Sequence, residues 1–183
     1  MKIMKIKRTA RIALALCVIA IGHAMASFVV AQEAPALPAG CEQLAAPEGF
    51  EVAYRVYAVG VQVYRWNGTT WAFVGPEAGL FANQNYRGMV GSHYAGPTWE
   101  TVSGSLVVST ASTAIPCTPD PTAIPWLRLT AVLSSGPGVL DGVKYIQRVN
   151  TVGGLRPTEP GTTVGQDARI PYTTEYYFYK EAN

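Results

Sequence analysis

From Phe50 to the end of the chain, β-branched and aromatic residues alternate with polar ones, and turn formers interrupt every run. No stretch of this region carries an apolar 3.6-residue repeat beyond about two turns, so an amphipathic helix would have no face to bury. Val52, Tyr54, Val56 and Ala58 share one strand face, with Glu51, Arg55 and Tyr57 on the other. In WLRLTAVL, Leu127, Leu129, Ala131 and Leu133 form an apolar face opposed by Trp126, Arg128, Thr130 and Val132. Asn67-Gly68 predicts a tight hairpin with positive φ at both residues, and Ser103-Gly104 predicts a second between WETV and SLVVST. Gly136-Pro137-Gly138 and Asp141-Gly142 break the chain before VKYIQRVNTV, and TEYYFYK supplies a last strand. These signals predict an all-β domain over residues 49–180, an antiparallel β-sandwich or flattened barrel. A short helix is expected around Glu42–Ala46. The polar loop LRPTEPGTTVGQD, residues 155–167, is expected to be the most mobile part of the domain.

The chain's formal charge of +2 is set by its first residues. Five of its 14 basic side chains, Lys2, Lys5, Lys7, Arg8 and Arg11, precede the first acidic one, Glu33, and nine are left to face 12 carboxylates. The body is therefore acidic, which argues against a nucleic-acid partner. The basic MKIMKIKRTAR, the apolar IALALCVIAI and small residues at Ala24-Met25-Ala26 and Val29-Val30-Ala31 read as a helical signal peptide over residues 1–31. Cleavage is placed after Ala31. The apolar run is short for a membrane span and is followed by Gly22 and His23, and no later segment could insert. Residues 32–48, containing QEAPALPAG, read as a mobile Ala/Pro-rich spacer. The expected address is secreted, periplasmic or cell-surface. Cys17 would leave with the signal, so Cys41 and Cys117 remain as a disulfide candidate in an oxidising compartment.

Several blocks occur together and in order: VYRWNGTTW, PEAGLF, HYAGPTWE, PDPTAIPWLRL, YIQRVNTVGG and a terminal YYFY. From about Val61 to Tyr179 the chain resembles the secreted bacterial and fungal family known as domain of unknown function 3455. The resemblance implies an exported all-β domain and implies no activity. Relatives often carry cysteines after the VYR block and after the NTVGG block. Here Trp66 and the cysteine-free stretch 157–167 stand in those places, so a Cys41–Cys117 bridge would be this chain's own arrangement.

The chemistry-bearing residues are sparse. His93 is the one histidine beyond the signal, and zinc catalysis usually needs two or three imidazoles or several thiolates, so no metal is assigned. The carboxylates are scattered without a spaced calcium loop. No Gly-rich turn opens a helix, so no nucleotide cofactor is expected, and none of any other kind is assigned. Ser92 adjoins His93, yet neighbours in a strand point to opposite faces, and the G-x-S-x-G elbow is absent. Glu77, Glu100, Asp120 and Asp141 could contribute to a carboxylate pair, with Asp120 and Asp141 reading as turn formers. Glu100, flanked by aromatics, is the strongest of these, and a secreted hydrolase centred on Glu100 and His93 is the alternative reading. His93, Glu100, Arg148 and Asn150 are the candidates for a polar cluster, in which a buried Arg148–Glu100 pair stands against the default of a solvated arginine, and the plainer reading of His93 is an edge or loop imidazole tied to a backbone carbonyl. Tyr94, Trp99, Tyr176 and Tyr177 join them as binding candidates, because Tyr and Trp with one wet face suit sugar stacking. Consecutive Tyr176 and Tyr177 lie on opposite strand faces, which predicts that at least one is exposed. The favoured reading is a non-catalytic binding or envelope-associated module, with a polysaccharide or cell-surface ligand. HYAGPTWE is expected to be a corner at which Gly96-Pro97 turns the chain and Trp99 plugs the core.

Overall fold

The computed structural model describes residues 32–182. The expected signal peptide lies outside the described residues. The alternating pattern produces nine antiparallel strands: β1 Phe50–Trp66, β2 Trp71–Phe81, β3 Met89–Tyr94, β4 Thr98–Thr101, β5 Leu106–Ser109, β6 Ile115–Cys117, β7 Trp126–Ser135, β8 Tyr145–Gly153 and β9 Asp167–Glu181. Nearly every strand pairs with its sequence neighbours, and β1 pairs with β9 from Phe50–Glu181 to Arg65–Asp167. The result is a closed up-and-down barrel, the flattened-barrel branch of the expectation. Closure removes the free edges that an open sheet would present.

One edge of β7 is shared. Its end, Ala131 to Ser135, pairs with β5, and its start, Trp126 to Arg128, pairs with β6. Between them the chain makes a single 3-10 turn, Ala111–Thr113, capped by the Thr110 side chain. The ladder gap at Thr130 is filled by hydroxyls, since Ser109 and Thr113 both donate to Thr130 O, at 2.7 and 3.2 Å. Eight strands thus complete the ring, with an interior that side chains can fill or that can hold one small ligand.

The interior is packed by Val56, Ala58, Leu80, Val107, Leu129, Ile146 and Phe178, with Leu140 and Val143 from the β7–β8 connection. That connection closes one end against the β4–β5 turn. Gly136 has φ +84°, and a Cβ there would lie 2.7 Å from Gly104 O and 3.0 Å from Ser105 Cα. No side chain fits between these two turns.

Outside, residues 32–46 form a strap over β1, β9 and β8, where the sequence predicts a mobile spacer. Leu37 and Ala46 pack on Val52, Val149, Tyr177 and Tyr179. Gln32 makes an isolated bridge to Val52. Gln147 Nε2 donates to Leu44 O, and Arg128 Nη1 donates to Ala45 O. The short expected helix is one 3-10 turn, Glu42–Leu44, beside the Cys41–Cys117 disulfide, whose Cα atoms are 5.6 Å apart.

Three local expectations are corrected. The first hairpin has four linking residues, Asn67–Thr70, and there Gly68 takes positive φ while Asn67 does not. Asn67 Oδ1 accepts from Thr69 N and Thr70 N at 2.9 and 2.8 Å, so its side chain closes the loop. Leu127, Leu129 and Ala131 face the core, but Leu133 is exposed. Val52, expected on one face with Val56 and Ala58, lies in the outer cluster instead, because a bulge between Val52 and Tyr54 shifts the strand's alternation. The segment 155–167 contacts the barrel through Trp71 Nε1, which donates to Glu159 O at 2.8 Å, and through Gly161 on the Trp66 ring.

Candidate functional site

The β3–β4 hairpin places its side chains by register. His93 stands opposite Trp99 and Ser92 opposite Glu100, with Ala95-Gly96-Pro97 turning between. Because successive strand residues alternate, His93 and Trp99 point into the barrel while Ser92 and Glu100 point out. The two inward rings stack at 4.4 Å with 9° between their planes, and Tyr176 of β9 meets both edge-on, at 5.0 and 5.3 Å. Trp99 is part of the core, as expected.

Above these rings the barrel opens into a cavity of about 310 Å³. Its apolar wall comes from Phe73, Pro97, Ala114, Leu127 and Leu129, and its polar groups from Gln62, His93, Trp99, Arg148 and Tyr176. Among the described residues, no Asp or Glu lines it. Three buried polar atoms there have no hydrogen-bond partner: Gln62 Nε2, Trp99 Nε1 and Tyr176 Oη. Buried donors without partners are rare in folded proteins, because each costs roughly 1–3 kcal/mol. Burial raises the Tyr176 phenol, while the Arg148 charge and the neighbouring Tyr172, Arg148 and Trp99 donors pull it back, none of them through a well-aligned bond.

His93 is 3% exposed. Its Nδ1 lies 2.8 Å from Thr98 O. A carbonyl oxygen can only accept, so Nδ1 carries the proton and Nε2 holds a free lone pair in the neutral ring. Burial drives its pKa down to about 3 against the bond to Thr98, and the Arg148 charge pushes the same way as burial. His93 is therefore a neutral acceptor at physiological pH.

Arg148 follows Ile146 on the inward face of β8. Its Nε and Nη2 both donate to Pro125 O, at 3.1 and 2.8 Å. The three ion pairs among the described residues, Arg55–Glu175, Arg65–Asp167 and Arg169–Glu77, do not include it.

The structure thus brings together four of the predicted site residues, His93, Trp99, Arg148 and Tyr176, and separates the rest. Glu100 lies on the outer face and accepts from Tyr94 Oη at 2.7 Å, so neither the candidate Arg148–Glu100 pair nor a His93–Glu100 pair forms. Asn150 is at a bulge in β8 with φ 52°, and its Nδ2 donates to Glu175 Oε1 at 3.0 Å. Tyr177 shares that outer cluster, donating to Glu175 Oε2 at 3.0 Å with Arg55 over its ring. Tyr176 and Tyr177 do lie on opposite faces, yet both are buried, one inside the barrel and one in the cluster that the strap covers. Gln62 is a cavity residue that the sequence reading misses. Its one signal is a polar side chain at an inward position of the VAYRVYAVGVQ alternation, two residues beyond Gly60 and four beyond Ala58.

Fold and cavity together define a closed antiparallel β-barrel with a small pocket at one end, apolar in its walls and rich in donors at its floor. The chain belongs to the family described as Protein of unknown function (DUF3455), whose model matches residues 46–180. No curated protein matches the chain, and no solved structure does.

Proposed function

We propose that this protein is an exported, non-catalytic binding barrel that holds a small, mainly apolar molecule in the cavity over Trp99. The observation that carries this reading is the set of unpartnered buried groups, Gln62 Nε2, Trp99 Nε1 and Tyr176 Oη, converging on an apolar-walled space. Concave, mostly apolar sites with a few convergent polar groups are the usual form of small-molecule pockets, and barrel mouths are a frequent place for them. The basic and apolar N-terminal run supports export, as does the Cys41–Cys117 bridge. Catalysis is disfavoured because the one cavity imidazole is neutral, faces no carboxylate and has no nucleophile bonded to it. A polysaccharide surface built on the predicted aromatics has less support, because Trp99, Tyr176 and Tyr177 are buried and Tyr94 alone of that set is exposed.

Thermal unfolding with a panel of small aromatic and aliphatic compounds tests the reading. A bound compound at a hundred times its Kd is expected to stabilise the fold by about 2.7 kcal/mol. Ala111→Phe, at the cavity rim and exposed, is expected to remove that stabilisation while leaving the unliganded melting temperature within a few degrees. Equal stabilisation of Ala111→Phe and the parent chain would place binding elsewhere.

A further inference from the structure

Resting on that reading, we infer that the cavity selects a carboxylate-bearing molecule, whose acid group is met by Arg148 at the inner wall while an aromatic or aliphatic body lies against Phe73, Pro97 and Leu127. The charge balance carries this. A guanidinium lines the cavity, no carboxylate lines it, and Arg148 has no ion-pair partner among the described residues. Its two bonds to Pro125 O use two of its five N–H donors and leave the charge uncompensated, and a partly buried cation is costly in that condition.

The unpartnered nitrogens nearby share one polarity. Gln62 Nε2 and Trp99 Nε1 can only donate, and the Tyr176 hydroxyl can donate as well. Donors that have no partner within the chain suit an acceptor brought by the ligand, and a carboxylate presents two oxygens with about four acceptor sites. His93 Nε2 carries a free lone pair and fits a hydroxyl of the same molecule. Guanidinium geometry favours a planar acid, which it can meet through two parallel N–H donors.

Isothermal titration with naphthalene-2-carboxylate and with naphthalene-2-carboxamide, at pH 7, tests the assignment on the full chain. The two probes share a ring system and differ in charge. The carboxylate is expected to bind at least ten-fold more tightly. Arg148→Lys is expected to keep a preference of the same sign, and Arg148→Gln to bring the two affinities within about three-fold. Equal affinities on the parent chain would overturn the acid assignment and leave the cavity reading standing. Retention of the full preference by Arg148→Gln would remove Arg148 from it. Binding of neither probe would overturn both readings. Should Arg148→Gln fail to fold for want of its bonds to Pro125, the parent-chain comparison and Arg148→Lys still decide the matter.

Discussion

At neutral pH the His93 imidazole donates to Thr98 O, stacks on Trp99 and carries no charge. Its pKa falls from an ordinary 6.5 to about 3 because burial opposes the charged form. Between those values the unfolded chain binds a proton that the folded chain refuses. Stability contributed here is complete above about pH 6.5 and falls as pH is lowered toward 3, by at most about 1.4 kcal/mol per pH unit. Urea unfolding at pH 7 and pH 5, a window above the usual carboxylate range, is expected to show this loss. His93→Asn is expected to flatten it, and equal pH slopes for the two chains would count against a buried neutral imidazole. Glu100 is the opposite case. On the outer face beside Tyr94, it is expected to tolerate Glu100→Gln with probe affinity changed less than two-fold. A large loss of binding in that titration would mean that the outer face belongs to the site. The sequence identifies both residues as chemistry-bearing but cannot say which face each takes. Register decides that: Glu100 stands opposite Ser92, one step from the Trp99 that meets His93.

Among the elements, the strap is the part least legible in the sequence. QEAPALPAG has no periodicity because it touches the barrel through isolated side chains such as Leu37 and through the backbone carbonyls that follow, Leu44 O and Ala45 O. A pattern of residue types does not record contacts made by carbonyls. The same gap explains Tyr177. Alternation places it correctly away from Tyr176, but no pattern of residue types signals that a second layer covers that face. The Cys41–Cys117 bridge, separated by 76 residues, ties the strap beside β6. On a chain-entropy basis, a closed loop of that length contributes about 4–5 kcal/mol. Cys41→Ser with Cys117→Ser is expected to lower the unfolding free energy by an amount approaching this. Amide exchange in the outward-facing parts of β8 and β9 is expected to rise with it. Unchanged protection around Tyr177 and Tyr179 would show that the strap holds without its bridge.

For the whole molecule, strand alternation establishes an all-β body but does not separate a sandwich from a barrel, since both bury one face of each strand. Closure takes two contacts, β5 against β7 and β1 against β9, and no local signal encodes the second, which joins the most distant strands in sequence. The cavity depends on the same closure, because Gln62, His93, Trp99, Arg148 and Tyr176 come from five different strands. Four of them stand out by residue type in the linear chain. Their convergence does not, and neither does Gln62, which reads as an ordinary polar strand residue until the inward face is fixed.

The indole N–H resonances in a two-dimensional NMR spectrum test the central claim most directly. Trp71 Nε1 is already bonded to Glu159 O, whereas Trp99 Nε1 is buried and without a partner. Addition of naphthalene-2-carboxylate is expected to move the Trp99 resonance progressively to saturation and leave that of Trp71 in place. A titration that shifts Trp71 and leaves Trp99 unmoved, or that moves neither, would contradict a ligand site inside the barrel.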